Sequence, residues 1–460
     1  MKIIDQLITS PLRYSSFLLI IISAACSQQK PATAEVPINA EVAIAAEIES
    51  VLQKELIQLW YPRVIDSIDG GYLSDFNYKW ELDGDQNKFI VSQARHVWTC
   101  SKLEQRYPDQ GFEQYAAHGV AFLKQAMWDS EYGGFHSLVD KQGNLIDNSQ
   151  WDGHKTAYGN AFGIYGLSAY VKTTNDAQAL EFVKQAFRWL DAHSHDPEYG
   201  GYFQFLTREG EPLAEGLGNV PPKDQNSSIH LLEAFAELYQ VWPNDTVESR
   251  LREMLGIIRD QIAGPKAYMH LFFNRDWSPV VFRDSTEEVR VANYGIDHVS
   301  FGHDIETAYL MMEAAEVLGM HHHPPTWSRG KAMVDHVLDY GWDHQVGGVY
   351  DRGYYLPDTE GVTIVLDSKA WWSQVEAMNT LLIMSQLYPD DPRDYYQEFL
   401  LQWDYIQKYL IDHEHGGIFV DGVDISEEAR HRAKGGIWKV NYHTARSLMN
   451  CIDRLRQAES

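Results

Sequence analysis

A doubled glycine recurs along this chain at Asp69-Gly70-Gly71-Tyr72, Tyr132-Gly133-Gly134-Phe135, Tyr199-Gly200-Gly201-Tyr202, Val346-Gly347-Gly348-Val349 and His415-Gly416-Gly417-Ile418. Their first glycines are spaced by 63, 67, 147 and 69 residues. The long step is two periods, and Tyr268-Met269-His270-Leu271-Phe272 stands where a copy without its glycines falls. An amphipathic stretch of helical length lies before and after each copy. A repeat of helix, Gly-Gly turn, helix cannot bury its apolar face alone, so neighbouring repeats must stack. Six such hairpins close into a ring, an all-α (α/α)6 barrel with a pocket at its centre.

The predicted helix pairs are 42–66 with 89–106, 112–128 with 155–174, 176–195 with 224–242, 245–263 with 300–318, 327–342 with 368–388, and 393–412 with 439–456. Gly-Gly follows most first helices, while Pro108, Pro243, Pro324 and Pro389 follow second helices. Length alone, 460 residues, predicts two or three domains. The continuous repeat overrides that and predicts one domain over 41–460.

The N-terminus reads as a targeting segment. Lys2 and Arg13 precede the short apolar run Phe17-Leu18-Leu19-Ile20-Ile21-Ile22, and Ser23-Ala24-Ala25-Cys26 follows. The run is too short for a permanent membrane span. Small residues before a Cys resemble a bacterial lipobox, with Ser23 where a Leu is usual. We therefore expect residues 1–25 to be a lipoprotein-type signal peptide, Cys26 to be lipidated, and 26–40 to be a flexible tether. Ser27 after the Cys points to the periplasmic side of the outer membrane; a plain secretory signal is the alternative. Cys100 and Cys451 then remain, and two buried free thiols are expected rather than a disulfide.

A net charge of −27 and the absence of a Lys/Arg run exclude nucleic acid as a partner. The 14 Trp and 26 Tyr fit a neutral polar substrate such as a sugar. We expect a monomer or weak dimer.

The second helices carry polar residues near their N-terminal ends: Arg95, Tyr158 with Asn160, Asn226 with His230, His303 with Glu306, Trp372 with Glu376, and Tyr442 with His443. In an up-and-down ring all six ends meet at one mouth, where converging helix N-termini favour an anionic intermediate. His303 and Glu306 are i and i+3, so Glu306 is expected to orient that imidazole. Asp304 points elsewhere and caps a turn. Trp438 is placed to roof the pocket.

Three chemistries compete. A zinc site lacks HExxH or paired cysteines, and its histidines come from separate helices. His321-His322-His323 reads as a solvated helix end. No Gly-x-Ser-x-Gly elbow or P-loop is present. Glycoside hydrolysis needs two opposed carboxylates, for which Asp297, Asp304, Glu306, Asp367 and Glu376 are candidates. Proton abstraction beside a carbonyl needs a base near neutral pKa and donors for the enediolate oxygens. His303 and His443 on opposite walls meet the first need; Arg95, Tyr158 and Asn226 meet the second. No metal or cofactor is expected.

The segments Arg95-His96-Val97-Trp98, Tyr158-Gly159-Asn160-Ala161-Phe162, Asn226-Ser227-Ser228-Ile229-His230, Phe301-Gly302-His303-Asp304-Ile305-Glu306, Trp371-Trp372-Ser373-Gln374-Val375-Glu376 and Trp438-Lys439-Val440-Asn441-Tyr442-His443 resemble the N-acylglucosamine 2-epimerase superfamily, most closely its cellobiose 2-epimerase branch. The resemblance implies a metal-free epimerase inverting C2 of the reducing-end sugar of a β-1,4-linked disaccharide. It implies His303 and His443 as the acid/base pair, Glu306 supporting the former, and His230 assisting ring opening or binding the sugar. Arg95, Tyr158, Asn160, Asn226, Glu376 and Tyr442 would bind sugar, with Trp372 and Trp438 stacking on its rings. Asn160 replaces a common Gln and Ser228 a common His, which leaves cellobiose, mannobiose, mannose and N-acylglucosamine open as substrates. Aldose–ketose isomerisation on the same scaffold, an (α/α)6 glycoside hydrolase, and a non-catalytic sugar-binding lipoprotein are the alternatives. Most relatives are cytoplasmic, so a lipid anchor would set this chain apart.

Overall fold

A computed structural model describes residues 38–146 and 153–457. Cys26 and the expected signal peptide lie outside them. The tether expected to reach residue 40 does not, because α1 starts at Ile38.

Among the described residues thirteen α-helices of eleven residues or more follow in order: α1 Ile38–Val51, α2 Ile90–Arg106, α3 Phe112–Phe122, α4 Ala157–Thr174, α5 Ala177–Ser194, α6 Gln225–Val241, α7 Asp245–Ile257, α8 Glu287–Asp297, α9 Phe301–Val317, α10 Pro324–Tyr340, α11 Trp371–Leu387, α12 Tyr395–Tyr405 and α13 Tyr442–Gln457. Twelve of them form the (α/α)6 barrel. The outer helices are α1, α3, α5, α7, α10 and α12, and α5 shows their character: Ala179, Phe182, Val183, Ala186, Phe187 and Leu190 make one buried stripe. The inner helices α2, α4, α6, α9, α11 and α13 are buried nearly all round, as α4 is from Gly159 to Val171. Gly166 lets α4 approach α2 closely, since a Cβ there would stand 2.6 Å from the Ala94 carbonyl oxygen. Each inner helix packs on the next, and α13 closes the ring against α1 and α2. Cys100 and Cys451 are buried free thiols.

Short turns join inner to outer helices at one end; the long connections, with the Gly-Gly turns, gather at the other. There the residues entering α2, α4, α6 and α9 pair as two-residue strands with the hairpin of the following repeat: Lys88–Phe89 with Leu138–Val139, Lys155–Thr156 with Phe205–Leu206, Lys223–Asp224 with Phe272–Phe273, and Val299–Ser300 with Arg352–Gly353. Ala370 bridges Asp421, and Phe76 bridges Gly435 to complete the collar.

The Gly-Gly turn has its own wiring. Both glycines of each of these five turns have positive φ, from 66° to 92°, a region costly for side-chain-bearing residues. A buried lysine neutralises the aspartate four residues before the first glycine: Lys88 with Asp66, Lys155 with Asp129, Lys223 with Asp196, Lys369 with Asp343 and Lys434 with Asp412. On the other side, a side chain from the first turn of the inner helix accepts the N–H following the glycines. Gln93 Oε1 takes Tyr72 N at 2.8 Å and Gln374 Oε1 takes Val349 N at 2.8 Å.

The degenerate repeat is present as expected, and it is shorter by one residue. Bridges join Ile65 to Tyr72, Trp128 to Phe135, His195 to Tyr202, Trp342 to Val349 and Ile411 to Ile418, but Ala263 to Met269. Asp304 plays the amide's part, accepting Met269 N at 2.9 Å. Burial pushes its carboxyl well above the usual range, which favours the neutral form in the amide's place.

Helix α8 falls inside a connection read as irregular from the sequence. Only Asp297 of its residues is buried. His321-His322-His323 occupies the turn before α10, with His321 beside Glu316.

Candidate functional site

Because inner and outer helices alternate in direction, the N-termini of all six inner helices open at the collar, and the predicted polar residues converge there. Tyr158, Asn226, His303 and Trp372 are half-buried at the mouth, and Trp438 is 45% exposed with its ring 4.7 Å from that of Phe89. Arg95, His230 and His443 lie deeper. The Trp372 indole touches both proposed acid/base residues, 4.6 Å from the His303 ring and 5.7 Å from the His443 ring. Arg95 Nη2 reaches Tyr158 OH at 3.4 Å, and its guanidinium stacks 4.5 Å from the Phe162 centroid. Its Nε has no partner among the described residues, an orphaned buried donor of the kind a ligand oxygen satisfies.

Four expectations change, the fourth, for Glu376, with the floor described below. Glu306 does not orient His303. Its Oε1 lies 2.5 Å from Arg446 Nη2 and 3.7 Å from His443 Nδ1, while His303 Nδ1 meets Ser300 Oγ at 2.8 Å. The i, i+3 spacing is real, but the long Glu306 side chain runs down to the cation below. Tyr442 is fully buried and donates its OH to Glu233, so it belongs to the floor and not to the sugar-facing wall. Asn160 is also structural: Oδ1 accepts Phe135 N at 2.9 Å and Nδ2 donates to Thr156 O at 2.9 Å. This is the turn clamp of Gln93 and Gln374. Asn160→Ala should therefore destabilise the fold by about 1–3 kcal/mol, the cost of orphaning a buried N–H, with KM for sugar unchanged. A denaturant melt beside steady-state kinetics checks both; unaltered stability with a raised KM would restore Asn160 to the sugar site.

The floor was not legible in advance. Arg446, on α13, bonds Glu233 from α6, Glu306 from α9 and Glu376 from α11. Glu376 Oε1 pairs with His443 Nδ1 at 2.7 Å, and its Oε2 accepts from Tyr309 OH at 3.1 Å. Glu233 Oε2 pairs with His230 Nδ1 at 3.1 Å. Glu376, expected to bind sugar, instead serves His443. The one available signal was the repeated i, i+3 spacing in His230/Glu233, His303/Glu306 and His443/Arg446.

Charge state follows from this packing. Burial works against the Glu233 carboxylate, but Arg446 and the His230 hydrogen bond overcome it and hold the group down at about 2. Burial and then the neighbouring Glu376 push Glu306 up to about 7; burial raises Glu376 as well. Burial, with Arg95 and Arg446 nearby, drives His443 well below the ordinary imidazole range. Burial among His230, His298 and His443 pushes His303 down to about 3. Both imidazoles are thus neutral at pH 7, the form a base requires. Protonation costs more here than in water, so the base survives to lower pH. The acid limb of kcat/KM should fall below pH 6.5; a midpoint at or above 6.5 in a pH–rate profile would contradict the burial argument.

Among the described residues, Glu306, Glu376 and His443 place ligand atoms within 4.8 Å of one another, as for a metal ion. Arg446 Nη2 already stands 2.5 and 2.6 Å from the two carboxylate oxygens, so the guanidinium fills the cation's place. Glu306 and Glu376 also fail the geometry of a hydrolase. Both are fully buried on one guanidinium and cannot flank a glycosidic bond.

Comparison with known proteins points to one family. The model of the N-acylglucosamine 2-epimerase (GlcNAc 2-epimerase) family matches residues 71–447. Cellobiose 2-epimerase of Bacteroides fragilis is 27% identical over 414 residues, 89% of this chain and 98% of that protein. D-mannose isomerase of Thermobifida fusca is 24% identical over 361 residues, 76% of this chain and 82% of that protein. The solved structure of cellobiose 2-epimerase from Spirochaeta thermophila superposes with a TM-score of 0.77 at 26% identity, over 94% of this chain and all of the other.

Proposed function

The chain belongs to the N-acylglucosamine 2-epimerase family, and on that premise we propose that it inverts C2 of the reducing-end aldose of a β-1,4-linked disaccharide, cellobiose or mannobiose. The observation that carries this reading is the pair of neutral imidazoles, His303 and His443, in contact with one indole, that of Trp372. In the open-chain sugar one imidazole removes the C2 proton. The C–H electron pair forms the C1=C2 bond, and the carbonyl electrons move onto O1. Arg95, Tyr158 and Asn226 donate to the enediolate oxygens, and its charge makes an imidazolium favourable on the opposite wall. That imidazolium, formed when the neutral second imidazole takes a proton from solvent, returns a proton to the other face of C2 as the O1 electrons re-form the carbonyl. The first imidazolium gives its proton back to solvent. Trp372 and Trp438 offer ring faces to the two sugars.

The similarity to a D-mannose isomerase supports a second outcome of the same enediolate, in which the proton returns to C1 and a ketose forms. NMR of products from cellobiose, mannobiose, mannose and N-acylglucosamine separates these. The proposal expects a 2-epimer of a disaccharide; a ketose favours the second reading, and free monosaccharides or no turnover refute both.

We also propose that Cys26 anchors the protein by a thioether lipid in the periplasm. The support is the lipobox-like Ser23-Ala24-Ala25-Cys26 after an apolar run; no described helix is long and apolar enough to cross a membrane. Cys26→Ser should move the protein from the detergent-extracted to the soluble fraction. A soluble wild-type protein without added lipid mass would refute the anchor.

A further inference from the structure

One guanidinium lies behind two of the three site histidines. Arg446 is 3% exposed. Its Nη2 donates to Glu376 Oε1 at 2.6 Å, and that same oxygen pairs with His443 Nδ1 at 2.7 Å. Its Nη1 donates to Glu233, whose other oxygen pairs with His230 Nδ1 at 3.1 Å. Resting on the epimerase reading, we propose that Arg446 is the positioning residue that fixes the tautomer of both His443 and His230, holding Nδ1–H on each and leaving each Nε2 with its lone pair for the substrate.

The argument turns on what three buried carboxylates do without a cation. Like charges packed together cannot all remain ionised, so some take up protons. A protonated Glu376 donates its O–H to His443 Nδ1 instead of accepting from it. The imidazole must then carry its proton on Nε2, and a nitrogen with a proton cannot remove one from C2. The same reversal at Glu233 would turn the Nε2 of His230 from acceptor to donor. Lysine cannot substitute: Arg446 reaches three acids through the two terminal nitrogens of one planar guanidinium, whereas an ammonium is a point charge. Arg446 also lines a cavity of about 390 Å³ at the far end of the barrel, together with Trp98, Tyr165, Glu237, Glu313 and Asn450. A small cation can therefore reach this spot without crossing the sugar pocket.

The test begins with the unaltered protein. Nitrogen-15 shifts of the histidine rings at pH 7 should show both His443 and His230 as the Nδ1–H tautomer; Nε2–H on either overturns the proposal. Arg446→Lys should lower kcat by about 10–100-fold, as loss of an orienting partner does, with KM within about twofold and a new Nε2–H signal. Arg446→Ala should regain kcat in millimolar guanidinium chloride but not in ammonium chloride. A folded Arg446→Lys with unchanged kcat and tautomers refutes the role, as does equal rescue by both salts. If the variants do not fold, the unaltered protein's spectrum decides. Failure to turn over any sugar would sink the epimerase reading while leaving the tautomer result standing.

Discussion

His303→Ala and His443→Ala are each expected to lower kcat/KM for epimerisation by about 10²–10⁴-fold, the usual contribution of a general acid–base group, while the barrel still folds. His303 is half-buried at the mouth and His443 lies deeper, and both pack on the Trp372 indole. Each variant also keeps one competent base. In deuterium oxide it should exchange the C2 proton of the single epimer its remaining histidine attacks, without inverting the centre. The partner variant should do so only from the other epimer. Epimerisation within threefold of wild type in both would remove the two-base mechanism.

Glu376→Gln is expected to reduce kcat by about 10–100-fold with KM nearly unchanged. Oε1 of Glu376 pairs with His443 Nδ1 and Arg446, and Oε2 accepts from Tyr309 OH and Ser447 Oγ. Glutamine keeps the shape but has only one accepting oxygen. With its NH2 toward His443 it forces the Nε2–H tautomer; with its NH2 toward Tyr309 and Ser447 it confronts two donors. Either arrangement weakens the base without touching the sugar, so the loss belongs in kcat. A raised KM at constant kcat would mean that Glu376 binds substrate directly.

The glycine repeat made the ring legible because a turn with two positive-φ residues is hard to build otherwise, and each copy marks one inter-helix connection. Several helix limits follow closely, 112–128 expected against a helix ending in a wide turn at Met127 and 89–106 against Ile90–Arg106, whereas the first, expected at 42–66, runs from Ile38 to Trp60. Even the copy without glycines was placed by its period. Helix Glu287–Asp297 was not, since it lies across the surface and buries too little to impose a pattern. At the site, Arg95, His230, Glu306 and Glu376 were readable because polar residues near a helix start break an apolar run. The cation that joins the two carboxylates was not. Arg446 and Glu233 are 213 residues apart, and nothing local distinguishes a buried charge from a solvated one. Asn160 and Tyr442 were misassigned for the related reason that a polar residue at a helix start serves backbone or floor as readily as substrate.

The central claim is that the C2 proton leaves and returns from opposite faces. Incubating the protein with cellobiose in deuterium oxide and following C2 by NMR tests it most directly. The account predicts 4-O-glucosyl-mannose with deuterium at C2, accompanied by no cleavage. Product that forms with its original C2 proton retained, or label at C1 of a ketose as the only product, would contradict it.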